Sequence, residues 1–311
     1  MHELSAGGHV GRFAPSPTGP LHFGSLLAAA ASYLQARSRD GRWLLRVEDI
    51  DPPREQPGAT ERILTALETY GFEWDGDVLY QSARRDRHLD AIDELRERRL
   101  AYACGCSRRD LEDAPRGPLG TIYPGHCRGG TDATEFAIRV RTDDRPIRFT
   151  DGLQGPQTAR LESESGDFVI LRRDGLVAYH LAVTIDDADQ GITEVVRGVD
   201  LLDSTPRHIH LQRLLGLPTP RYLHIPVIEN HDGQKLSKLT GASALPLDEP
   251  RPVLLAALAA LGQPVPGELA GCSLADIWRH AIRHWNPHGL AGRRRIAPDA
   301  NPMVGTENRL S

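Results

Sequence analysis

Two lysines stand three positions apart in Gln234-Lys235-Leu236-Ser237-Lys238, and they are the only lysines among 37 basic residues. Arginine is a planar fork, whereas lysine is a compact point charge on a flexible stem, suited to following a phosphate as it moves. The pair points to a site that handles a mobile polyphosphate; placement on a solvated loop is the competing reading. A second string, Arg12-Phe13-Ala14-Pro15-Ser16-Pro17-Thr18-Gly19-Pro20-Leu21-His22-Phe23-Gly24-Ser25, reads as a strand, a proline-stiffened turn and a helix start. Helix N-termini offer unpaired N–H groups and a positive dipole end, which suit phosphate. His22 could donate to a phosphate oxygen, and Gly24 would let a flat base approach the backbone. A G-x-x-x-x-G-K-[ST] loop, a G-x-G-x-x-G after a strand and a G-x-S-x-G elbow are all missing.

A third constellation is Cys104-Gly105-Cys106 with Cys127. Three thiolates are a plausible zinc set, and zinc wants four ligands. Tyr123 and His126 are the nearby candidates for the fourth position, and imidazole is chemically the better ligand. Ordinary free cysteines are the competing reading. Cys272 lies apart and reads as a packed or surface thiol.

The elements that must position these residues follow from periodicity. In the N-terminal part, strands (10–14, 43–48, 100–104) alternate with helices (25–39, 59–70, 83–99), which predicts a parallel sheet covered by helices. Residues 104–130 are rich in Cys, Gly, Pro and Arg, and short strand-like runs follow to about 170, as expected for an inserted β-rich unit. Alternation returns at 181–186, 193–197, 206–215 and 225–229, and further helices are predicted over 252–261 and 275–285. From Asn286 onward the chain is polar and reads as a mobile tail. With 40% hydrophobic and 25% charged residues the composition is that of a soluble globular protein. A net charge of −5 argues against indiscriminate nucleic-acid binding without forbidding a local basic face. Arg108, Arg109, Arg116 and Arg128, and the run Arg293-Arg294-Arg295, are candidate contacts or solvated faces. No apolar run approaches the roughly 20 residues of a membrane helix, and the N-terminus lacks a signal pattern, so a cytoplasmic protein is expected.

The strings at 15–19 and 21–24 resemble the HIGH signature of class I aminoacyl-tRNA synthetases in its glutamyl form. Lys235-Leu236-Ser237-Lys238 resembles their KMSKS loop. Arg46-Val47-Glu48-Asp49-Ile50-Asp51, Val196-Arg197-Gly198 and Ser204-Thr205-Pro206 are also similar to glutamyl-type segments, and the resemblance covers most of 10–262. The stretch after Lys238 is too short for the helical anticodon-binding region of full-length relatives. With Pro52-Pro53-Arg54 and the Cys-x-Cys insertion, this resembles the glutamyl-queuosine tRNA(Asp) synthetase family.

That resemblance implies a Rossmann-type doubly wound α/β catalytic domain with an inserted small zinc-containing α+β domain, a short C-terminal helical region and no anticodon-binding domain. The expected boundaries are 10–103 and 181–240 for the catalytic halves, 104–180 for the insertion, 241–287 for the helical region and 288–311 for a disordered tail. It implies activation of L-glutamate by ATP with Mg2+, without tRNA, then transfer to queuosine at wobble position 34 of tRNA(Asp). Arg12 and Arg197 would take the substrate carboxylates and Glu48 its ammonium. Ser16, the adjoining backbone of Phe13, Ala14 and Pro15, and Tyr179 would complete the pocket. His22 and Gly24 would hold ATP, and Lys235 and Lys238 would neutralise the leaving pyrophosphate. The family's Cys-x-Cys…Tyr-x-x-x-Cys pattern favours Tyr123 over His126 at a structural zinc. His180 stands where the resemblance leads one to expect asparagine. A monomer is implied. The alternatives are a truncated synthetase charging a tRNA 3′ end, a non-catalytic RNA-binding relative, and an unrelated nucleotidyltransferase.

Overall fold

The computed structural model describes residues 8–230, 234–236 and 242–303. In chain order the first elements are β1 (Val10–Phe13), α1 (Phe23–Arg37), β2 (Arg42–Val47), α2 (Ala59–Thr69), β3 (Leu79–Tyr80), α3 (Arg85–Glu97) and β4 (Ala101–Cys104). Then come β5 (Arg116–Gly117), β6 (Gly120–Thr121), β7 (Ala137–Val140), β8 (Ile147–Asp151), β9 (Gly155–Ala159), α4 (Leu161–Glu164) and β10 (Phe168–Leu171). The chain continues with α5 (Tyr179–Asp189), β11 (Glu194–Gly198), α6 (Thr205–Leu215), β12 (Arg221–Ile225) and β13 (Val227–Ile228). It closes with α7 (Pro250–Ala260), α8 (Leu274–His284) and β14 (Arg295–Ile296).

β1, β2 and β3 form one parallel sheet in the order β1-β2-β3, and β11 and β12 form a second parallel pair. The two meet at Thr193, whose N–H donates to the Val10 carbonyl at 2.9 Å. The chain leaves β1 in one direction for β2 and returns to its other side at β11. Open α/β sheets place their ligand crevice at such a switch point, beyond the strand C-termini. α1 fills the space over β1, β2 and β11. It can lie so close because its buried face is mostly alanine and leucine.

The insertion differs from the expectation at its edge. β4 was expected to continue the parallel sheet, but it pairs antiparallel with β7, which also pairs with β10. The small sheet therefore starts inside the predicted first half. The β8–β9 hairpin leans back on the catalytic half, where the Gly152 N–H donates to the Tyr222 carbonyl at 2.8 Å.

The C-terminal helices belong to the main core. Trp278 of α8 packs edge-on to Tyr33, with Phe72 and Trp43 beside it, and its indole N–H donates to the Tyr70 carbonyl at 2.9 Å. Residues 288–303 depart from the predicted disordered tail: β14 pairs in parallel with β13, and Leu290 and Ile296 are buried. Two apolar residues in an Arg-, Gly- and Pro-rich stretch are too weak a pattern to read as an element. Among the described residues, no helix is long and apolar enough to cross a membrane.

Candidate active site

α1 begins at Phe23, two residues before the predicted start, because His22 caps it. The Ser25 N–H donates to His22 Nδ1 at 3.3 Å, and the Ser25 hydroxyl receives the His22 N–H at 3.5 Å. The first turn holds no acidic residue, so the positive end of α1 remains available to an anion. Gly24 acts by leaving room. A Cβ there would lie 3.1 Å from the His22 ring and 3.4 Å from the Ile228 side chain.

The end of β1 carries Arg12, and the end of β2 carries Arg46 and then Glu48. Glu48 is fixed to the turn after β1 by its N–H, which donates to the Pro15 carbonyl at 3.0 Å. Arg12 Nε donates to Asp187 Oδ1 at 3.0 Å, and Arg46 Nη2 donates to the same oxygen at 2.7 Å. Arg46 Nη2 also lies 3.7 Å from Glu48 Oε1. Burial pushes the Glu48 carboxyl up, against the pull of Arg46 and Arg12. Such a group gains most when a cation arrives beside it.

Arg197 sits at the end of β11 in a different setting. Its Nε donates to His224 Nε2 at 3.0 Å, and Nη2 donates to Thr205 Oγ1 at 2.8 Å and the Leu201 carbonyl at 3.2 Å. Nη1 reaches the Tyr179 hydroxyl at 3.4 Å, and both terminal nitrogens approach His208 Nδ1. Burial raises the Tyr179 phenol, so it stays neutral.

A cavity of about 680 Å3 joins these ends. Its walls include Arg12, Phe13, Ala14, Pro15, Ser16, His22, Gly24, Glu48, Tyr179, Arg197 and Lys235. The structure thus gathers every residue predicted for the organic substrate site except Lys238, which lies outside the described residues. Lys235 Nζ is 2.5 Å from Asp200 Oδ2, on the turn that follows β11. A smaller cavity of about 270 Å3 opens beside it, sharing Ser16, Thr18, Glu48, Arg54 and Tyr179 and adding Asp51, Arg172 and His180.

The thiols form a separate cluster at the end of β4. The sulfurs of Cys104, Cys106 and Cys127 lie within 4.8 Å of one another. Ligands about 2.3 Å from a tetrahedral zinc are themselves just under about 4 Å apart, and Cys106 Sγ is 3.5 Å from Cys127 Sγ. The Tyr123 hydroxyl completes the group, 3.3 Å from Cys104 Sγ and 3.6 Å from Cys106 Sγ. His126 meets Tyr123 ring to edge and does not join the sulfurs. Burial pushes the Cys127 thiol up, but hydrogen bonds from Tyr123 and the Gly105 backbone outweigh it and bring the thiol to about 7. Arg139 adds positive charge, with Nε 3.3 Å from Cys104 Sγ and its guanidinium over the Tyr123 ring. This donor set suits a zinc ion.

Sequence reasoning missed Asp187 behind Arg12 and His208 and His224 around Arg197, and gave Thr205, in the segment 204–206, no role. The acidic pair Asp186-Asp187, following the apolar run 181–183 and Ile185, was the available signal for the first. Arg128, offered as a surface contact, is instead committed to Asp167 and Glu162.

This fold and cavity define a class I synthetase. The chain belongs to the family of class I (E and Q) tRNA synthetases, whose catalytic-domain model matches residues 10–282. It is therefore a ligase of aminoacyl-tRNA synthetase type. Within that family it is similar to the glutamyl-Q tRNA(Asp) synthetase of Pseudomonas syringae pv. tomato, at 54% identity over 93% of this chain and 96% of that protein. The protein of the same name in Pseudomonas fluorescens is 53% identical over 96% of this chain and 99% of its own length. A glutamate-tRNA synthetase structure from Elizabethkingia anophelis matches with a TM-score of 0.76 at 25% identity, covering 94% of this chain and 69% of that one. A glutamate tRNA ligase from Elizabethkingia meningosepticum, at 23% identity and a TM-score of 0.77 over 94% of this chain and 68% of that one, shares the fold.

Proposed function

We propose that the protein activates L-glutamate with ATP without tRNA, then transfers the glutamyl group to queuosine at position 34 of tRNA(Asp). The observation that carries the first step is the single cavity joining Arg12, Glu48, Tyr179 and Arg197 to the His22–Gly24 helix start. Glutamate presents two carboxylates and one ammonium; Arg12 and Arg197 answer the former and Glu48 the latter. Its α-carboxylate oxygen attacks the α-phosphorus of ATP, and pyrophosphate departs. Such a step is mostly positioning and charge stabilisation. His22 and the start of α1 bind the triphosphate, Mg2+ accompanies it, and Lys235 and Lys238 neutralise the leaving group. A hydroxyl of queuosine then attacks the adenylate carbonyl, and AMP leaves. The acceptor assignment is supported by the names of relatives more than half identical to this chain. Cys104, Cys106, Tyr123 and Cys127 hold one structural zinc that pins the insertion.

The test is glutamate-dependent exchange of pyrophosphate into ATP without tRNA, which is expected; its absence overturns the activation step. Mapping of labelled glutamate on tRNA decides the acceptor. Label on the wobble nucleoside after nuclease digestion supports the proposal, and label released with the 3′-terminal adenosine replaces it with 3′-end charging.

A further inference from the structure

Arg12 and Arg197 are held in opposite ways. Arg12 gives Nε and one terminal nitrogen to the carboxylate of Asp187. Among the described residues, Arg197 meets only neutral groups: Tyr179, Thr205, the Leu201 carbonyl, His208 and His224. The carboxylate of Asp151 is one imidazole away, with Oδ2 2.6 Å from His224 Nδ1.

The hydrogen bonds fix the tautomers. A guanidinium only donates, so His208 Nδ1 must accept from Arg197 and its proton sits on Nε2. That N–H faces His180 Nδ1 at 3.2 Å, so His180 in turn accepts and is protonated on Nε2. His224 accepts at Nε2 and donates from Nδ1 to Asp151. Burial, reinforced by Arg207 and Arg197, pushes His180 down to about 3, and burial holds His208 well below the ordinary histidine value. Both rings are neutral at pH 7.

We propose that His208, backed by His180, is a positioning residue that aims the Arg197 guanidinium at the cavity while leaving its charge unspent for a substrate carboxylate. A neutral acceptor fixes direction as well as an anion does but does not cancel the cation. A carboxylate at this point would make the buried cation more comfortable and the site less able to attract an acid. The inference rests on reading the cavity as a glutamate site. It adds that Arg197, rather than Arg12, supplies the net positive charge.

The experiment compares His208→Asp, His208→Asn and His208→Leu in the full chain. It reads the glutamate KM and kcat of pyrophosphate exchange together with Tm. His208→Asp is expected to raise the glutamate KM about 10-fold or more without lowering Tm, because it pairs with Arg197. His208→Leu is expected to raise KM and lower Tm. His208→Asn, whose amide oxygen replaces the Nδ1 acceptor, is expected to restore KM to within about 3-fold of wild type. A wild-type KM in His208→Asp, or a His208→Asn protein as impaired as His208→Leu, overturns the proposal. If the wild-type protein shows no exchange, the glutamate reading fails, and nitrogen-15 spectra of the histidines decide the positioning role. A neutral His208 protonated on Nε2 whose Nδ1 signal shifts in Arg197→Lys sustains it. An imidazolium, or a proton on Nδ1, overturns it.

Discussion

Asp187 and Arg46 lie 2.7 Å apart with both side chains withdrawn from water, and Arg12 closes on the same carboxylate from the other side. Asp187→Asn would take from two buried guanidinium groups the carboxylate they share. Breaking one partner of a buried ion pair costs about 3–5 kcal/mol, so urea denaturation should report a loss of that order. Burial raises the Asp187 carboxyl, but Arg12 and Arg46 outweigh it and hold the group below the ordinary aspartate value. A depressed folded value gives stability that is present above the unfolded value of about 3.9 and lost as pH falls through the folded one. The Tm gap between wild type and Asp187→Asn should therefore be full near neutrality and shrink as pH falls below about 4.

Glu48 behaves in the opposite sense. Its carboxyl is raised by burial, so its ionised form costs the empty protein stability. Glu48→Gln is expected to leave Tm unchanged or higher while raising the glutamate KM about 10- to 100-fold, the value of a charge-assisted hydrogen bond. A lowered Tm with an unchanged KM would remove Glu48 from substrate binding.

Lys238→Ala should slow pyrophosphate exchange about 100-fold or more, as loss of one transition-state charge contact does elsewhere. Lys238→Arg should restore little of it, because a planar fork cannot track the leaving group as an ammonium does. Rapid-quench measurement of adenylate formation checks this; a normal rate in Lys238→Ala refutes the role.

Metal analysis should find one zinc per chain in the wild type. Tyr123→Phe is expected to weaken retention and Cys127→Ser to abolish it, whereas His126→Ala keeps the ion. Zinc lost with His126 and kept with Tyr123→Phe would exchange the two assignments.

Trp278→Ala should destabilise the whole catalytic unit by about 3–5 kcal/mol, since this ring fills the aromatic cluster with Tyr33 and Phe72. Hydrogen exchange should show the loss in β1 and β2 as well as in α8. A loss confined to 241–287 would make the helices a separate unit.

The sequence was most informative where chemistry and local structure coincide. Arg12 to Ser25 announces a helix start and a place for an anion, and the structure places His22 and Gly24 at that start. Local pattern was weaker where distant segments meet. Nothing near Arg46 reveals that its partner is Asp187, more than a hundred positions away. The segment 46–51 suggests a role for Glu48 but none for Arg46, whose partner is visible only in the packed structure. β4 looked like a catalytic strand because periodicity reports burial and not the neighbour it pairs with. Ile296 was invisible because a two-residue strand carries no period at all.

The pairing of Val227–Ile228 with Arg295–Ile296 has a mechanical meaning. The strand that leads to the lysine segment is splinted on one edge by chain that arrives about seventy positions later. Leu236 is pinned back to the same strand through the Ile228 carbonyl at 2.8 Å. Lys235 and Leu236 thus follow a clasp made of two distant pieces of chain. A protease nick between α8 and β14 would cut no residue of the cavity wall, yet would free one edge of the strand from which Leu236 hangs.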